Sequence, residues 1–161
     1  MDFVEEFFEM LRQHGFEVFN DKVTGRGLEM ESLERVLMGV QLTPQSSKNV
    51  RFIRSTGSDQ FLYVLMSNFS KGFWGPDKNV INILAKQIRP WALVLLHGGN
   101  ASGYWFSGPV VLSLISKSEW RVGKDGYSYK VNAPSQVARG EKFITPKKVL
   151  VFIAQLGSEA A

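Results

Sequence analysis

Six consecutive apolar residues, Trp91-Ala92-Leu93-Val94-Leu95-Leu96, stand between Pro90 and the pair Gly98-Gly99. The run is far short of the roughly 20 residues that span a bilayer. It also lacks the polar alternation of a half-solvated strand, and so reads as a buried, central strand around which the rest of the chain must pack. Pro90 keeps any preceding helix from running into it, and the glycines turn the chain back at its end.

The flanking sequence supplies the other elements. Residues 2–14 place Phe3, Phe7, Met10 and Leu11 at helical spacing, with Asp2 as the cap and Gly15 as the stop. Phe16 and Val18 begin a short strand. A second helix is expected over Leu28–Met38, then a polar linker over Thr43–Asn49. Val50–Arg54 and Gln60–Ser67 read as a hairpin. Ser70–Gly75 is an aromatic loop opening a helix that starts at Pro76 and Asp77 and ends near Ile88. Gly103–Phe106 returns beside the apolar strand, and Pro109 sits at the first position of a helix over 110–116. Trp120–Val122 and Tyr127–Val131 flank Gly123-Lys124-Asp125-Gly126, a hairpin signal. Asn132–Pro146 shows no periodicity, and Lys147–Leu156 fits either a strand or a helix.

These elements fit an α+β class: a mostly antiparallel sheet or half-barrel of six to seven short strands, with three to four helices on one side. A three-layer arrangement with helices on both faces is the alternative. The 161 residues suit a single domain, 1–161. It divides into an acidic helical part (1–41), a basic α/β body (42–156) and a tail (157–161) expected to fray. With no cysteine and only His14 and His97, neither a disulfide framework nor a Cys/His metal site is expected. The acidic N-terminus is not a signal peptide, so a soluble cytoplasmic protein is the default expectation.

Charge is unevenly distributed. Residues 1–41 carry nine acids and four bases, a balance of −5, whereas residues 42–161 carry fifteen bases and six acids, a balance of +9. A basic body favours polyanions. Its bases interleave with aromatics and glycines, a composition suited to phosphate contact combined with base stacking. The plain alternative is charge that only keeps the protein dispersed. The acidic part can equally serve a protein partner.

Four segments carry the candidate interface. In Lys71-Gly72-Phe73-Trp74-Gly75-Pro76, paired glycines can leave a ring exposed, here Trp74 rather than Phe73, beside Lys71, Lys78 and a helix start. In the segment from Gly98 to Phe106, strand alternation turns one of Tyr104 and Trp105 outward as a stacking platform. Lys48, Arg51 and Arg54 form a third group, which can line a groove or simply protect a sheet edge. Trp120, Arg121, Lys124 and Lys130 make a basic, aromatic hairpin next to a loop holding Arg139 and Lys142. In each case the alternative is a core aromatic or a solvated charge.

Catalysis has little support. A metal-dependent nuclease needs converging carboxylates, usually with a lysine nearby. Asp59 precedes a strand that lacks an acid-x-lysine pair, leaving Glu5 or Glu9 as accessory ligands. His97 is a lone histidine at a strand end, and no nucleophile elbow is present. No catalytic residue, metal or cofactor is assigned. The Gly72-Phe73-Trp74-Gly75 loop, the apolar strand and the Trp120 hairpin loosely resemble segments of DNA-targeting defence proteins. That resemblance implies a target-recognition part of a restriction-type system. The expected function is therefore a nucleic-acid-binding module, DNA before RNA. A nuclease with a degenerate carboxylate site and a protein-interaction subunit are the alternatives.

Overall fold

The computed structural model describes residues 2–19, 50–55, 60–67 and 70–159. The expected helix over Leu28–Met38 and the linker over Thr43–Asn49 lie outside the described residues, as do Lys48 and Asp59.

Helix α1 spans Phe3–Gln13, and the Asp2 carboxylate accepts the Glu5 N–H at 2.8 Å. Strands β1 (Phe16–Phe19), β2 (Val50–Ser55) and β3 (Phe61–Ser67) form an antiparallel meander. The chain then makes a short strand β4 (Phe73–Trp74) and helix α2 (Lys78–Lys86) before β5 (Trp91–His97), which lies parallel to β3. β6 (Ser102–Ser107) returns antiparallel to β5, and helix α3 (Gly108–Ser116) follows. Further on come β7 (Val131–Asn132), a 3₁₀ turn (Ser135–Val137), β8 (Glu141–Phe143) and helix α4 (Lys148–Glu159). The main sheet is open and mixed, in the order β1-β2-β3-β5-β6-β8, and β4 pairs with β7 in a separate small ladder. The α+β class and the largely antiparallel pairing follow the sequence expectation.

The layering does not. Strand alternation sends Phe61, Tyr63, Leu65, Leu93 and Leu95 into one core, closed by Val80, Ile81 and Leu84 of α2 and Val111 and Leu114 of α3. Leu62, Val64, Ala92, Val94 and Leu96 enter a second core, closed by Phe7, Phe8 and Leu11 of α1 and Val149, Phe152 and Leu156 of α4. Helices therefore cover both faces, which is why every residue of β5 is buried. At about 1.5–3 kcal/mol for each large side chain taken from water, this central pair of strands dominates the stability of the fold.

The C-terminal segment resolves as a helix because Val149, Phe152 and Leu156 share one face toward the sheet. The helix runs on through Gly157 to Glu159, the first three residues of the segment expected as a tail. The expected loop over Asn132–Pro146 holds β7, the 3₁₀ turn and β8, each too short to show a period. α2 stops at Lys86, and Ile88 is fully exposed instead of closing the apolar stripe.

Candidate nucleic-acid interface

Two of the candidate segments, far apart in sequence, join. Phe73 pairs with Asn132 and Trp74 with Val131. The Ala133 N–H donates to Gly72 O at 3.1 Å, the Tyr129 N–H to Pro76 O at 2.9 Å, and the Lys78 N–H to Tyr127 O at 2.7 Å. The loop before α2 and the hairpin after α3 thus form one continuous backbone unit, about seven residues long on each side. Asp77 anchors it: its carboxylate caps α2 by accepting the Asn79 and Val80 N–H groups at 2.8 and 3.3 Å. The Asp77 N–H donates to the buried Tyr63 hydroxyl at 3.3 Å. Burial first, then the Asp77 charge, raises the Tyr63 phenol well above its ordinary value.

The hairpin closes on itself through Lys130 N–H to Arg121 O at 3.0 Å and Gly123 N–H to Ser128 O at 2.9 Å. At its tip the Asp125 carboxylate accepts the Tyr127 and Ser128 N–H groups, each at 3.0 Å. The Ser128 bond and then the Tyr127 bond hold its carboxyl below the usual carboxylate range, with a smaller contribution from the Lys130 charge.

Alternation along β4 and β7 sorts the side chains. Trp74 and Val131 point inward, while Phe73 is half-buried and Asn132 exposed. The Trp74 ring is 2% exposed, and its Nε1–H donates to Leu96 O at 3.0 Å. Tyr104 and His97 meet it edge-on, at 5.9 and 6.2 Å between ring centroids. The expectation that Trp74 stands outward and Phe73 inward is reversed. An indole can hydrogen-bond a carbonyl in the core, so the larger ring is the one that plugs it. Phe73 carries a cation on its ring instead: Lys130 Nζ lies 5.2 Å from its centroid.

Lys71, Arg121, Lys124 and Lys130 are exposed on this unit and Lys78 is half-buried. The acids on the same stretch, Asp77 and Asp125, both direct their carboxylates at backbone N–H groups. The ladder thus carries four exposed bases, and its rings Phe73 and Tyr127 are half-buried, the first beneath Lys130.

Other candidate residues lie elsewhere. Trp105 is buried on the opposite face of the sheet, 5.7 Å from Phe152 between ring centroids. Trp120 is buried against Phe106, and its Nε1–H donates to Gln136 O at 2.8 Å. Neither indole is available for stacking, and Tyr104 is only partly exposed. Arg139 forms a half-exposed ion pair with Glu119 at 3.1 Å. Lys142 belongs to the edge strand β8, opposite Tyr104. Arg51 stands opposite Val64, and Arg54 opposite Phe61 and Glu17, on a strand flanked by β1 and β3 and so not at the sheet edge.

His97 ends β5 as a buried turn cap. Its Nδ1 accepts the Asn100 N–H at 2.9 Å, which places the ring proton on Nε2. Among the described residues there is no group of three or more His, Asp or Glu side chains arranged to hold a metal ion. Also among the described residues, no helix is long and apolar enough to cross a membrane.

Sequence reasoning identified both halves of the ladder but not their union. β4 and β7 have two residues each, too few for any periodic signal. The only available hint was the shared pattern of a lysine and an aromatic beside glycine in the two segments.

No known family model matches the sequence, and no curated protein matches it.

Proposed function

We propose that the chain is a nucleic-acid-binding module, with DNA the preferred ligand, and that the ladder made by residues 70–78 and 120–133 is its binding surface. One observation carries this reading. The β4–β7 pairing gathers Lys71, Lys78, Arg121, Lys124 and Lys130 on one unit whose acids are engaged with backbone donors. Lysines and arginines on a shared ribbon suit a row of phosphates, and half-exposed rings among them suit contact with sugars or bases. Any stacking falls to Phe73 and Tyr127, not to the three indoles.

Titration of a labelled oligonucleotide at 50 and 200 mM salt tests the proposal. Each phosphate neutralised on duplex DNA contributes about −0.9 to the slope of log affinity against log salt. Contact by three or four of these bases therefore gives a slope near −3. Absence of binding at low salt, or a flat response, rejects a nucleic-acid role.

A further inference from the structure

We infer that Lys130 is the pre-placed phosphate contact of this surface and that Gly123 is a positioning residue for it; this rests on the nucleic-acid role proposed above. Exposed lysines ordinarily sample many rotamers and lose that freedom when they bind. Lys130 is held at both ends of its stem. Its backbone pairs with Arg121 across the hairpin. Its stem crosses the bare backbone of Gly123 so closely that a Cβ there would overlap Cε and stand 3.0–3.1 Å from Cγ and Cδ. Beyond that crossing, Nζ lies over the Phe73 ring, 5.2 Å from its centroid. The ammonium thereby sits where the loop and the hairpin meet. A cation already ordered in this way binds a phosphate without first losing its side-chain freedom. Lys124, Lys71 and Arg121 show no comparable support for the whole side chain: among the described contacts, Arg121 makes only the Nε–H bond to Ser118 O at 3.0 Å.

Gly123 has a backbone that alanine can adopt, and the atoms in its way belong to a flexible side chain. Gly123→Ala therefore moves the lysine stem off its track while leaving every charge in place. The test is a double-mutant cycle on a phosphodiester oligonucleotide, using the full chain with wild type, Gly123→Ala, Lys130→Ala and the double variant. Lys130→Ala is expected to weaken binding by about fivefold at low salt. It should also shrink the change in affinity between 50 and 200 mM salt by about 3.5-fold, one phosphate's share. Gly123→Ala is expected to lose about two- to fivefold in the wild-type background and nothing further in the Lys130→Ala background.

If Gly123→Ala does not fold, NMR relaxation of the lysine Cε methylenes in wild type replaces it: Lys130 is expected to be more ordered than Lys71 and Lys124, and equal mobility of the three overturns the positioning role. Salt-dependent binding by wild type with full affinity in Gly123→Ala, or a loss that persists in the Lys130→Ala background, overturns the positioning role and leaves the nucleic-acid role standing. Failure of wild type to bind at low salt overturns both.

Discussion

The pair β3–β5 and the pair β4–β7 are both two strands joined by backbone hydrogen bonds, and they are held by different physics. In the first, seven registered pairs run from Phe61–Trp91 to Ser67–His97, and β5 is buried throughout under helices on both faces. In the second, only two pairs form, and the unit persists because single inward residues, Trp74 and Val131, fasten it to the core. Area buried sets stability in the first; in the second it is set by a few anchors and by turn chemistry. The small ladder is consequently free to carry charge on its outer side at little cost to the fold, which the central strands could not do.

The largest expected effect tests the anchors. Trp74→Ala or Trp120→Ala removes a buried ring and its N–H bond to Leu96 O or Gln136 O, and should cost about 3–5 kcal/mol in denaturant unfolding. A loss under 1 kcal/mol would show that the ladder does not depend on its plugs. Gly72→Ala comes next. Gly72 has φ +72°, and a Cβ would stand 2.9 Å from the Trp74 ring and 3.0 Å from that of His97. Strain and crowding together should cost about 1–3 kcal/mol, checked in the same unfolding experiment.

pH separates the two regions by the groups that hold them. The Tyr63 phenol lies in the core with its folded value raised by burial. Its contribution is complete below the unfolded value of about 10 and is lost as pH rises through the folded value. Global unfolding followed by circular dichroism should therefore show stability falling above about pH 10, and Tyr63→Phe should flatten that decline. Asp125, at the tip of the hairpin, has its folded value lowered by the Ser128 and Tyr127 N–H groups. Its contribution is present above about pH 3.9 and lost as pH falls through the folded value. Faster amide exchange at Tyr127 and Ser128 in acid, with the core strands still protected, is the expected local signature. Smallest of all is the stability effect of Lys71→Ala or Lys124→Ala, within about 0.5 kcal/mol, although each should flatten the salt slope of binding by about 0.9 on duplex DNA.

Much of the large-scale architecture was legible in the sequence because it depends on long, repeated patterns. The apolar run at Trp91–Leu96, the amphipathic stripe of α1 with its Asp2 cap, and the Pro109 helix start each carry several concordant signals. In the second helical layer α1 was legible and α4 was not: the apolar residues of its segment, Val149, Leu150, Phe152, Ile153 and Leu156, fit a strand about as well as a helix, so helices on both faces stood only as the alternative. At the candidate interface, residue types were informative and orientations were not. A Trp-Phe pair between glycines says that one ring faces in, but which one depends on a carbonyl 22 residues away, Leu96 O, waiting for an indole N–H. Arg139 likewise reads as a free base until Glu119 is seen beside it.

The most direct measurement is a map of backbone amide shifts on adding a short DNA duplex or single strand to isotope-labelled protein at low salt. Binding on the small ladder requires the changes to concentrate at Lys71–Lys78 and Arg121–Asn132, with β3, β5 and α4 nearly unmoved, and to collapse as salt is raised. Changes centred on another surface, such as the edge strand β8 or helix α1, with the ladder silent, would contradict it.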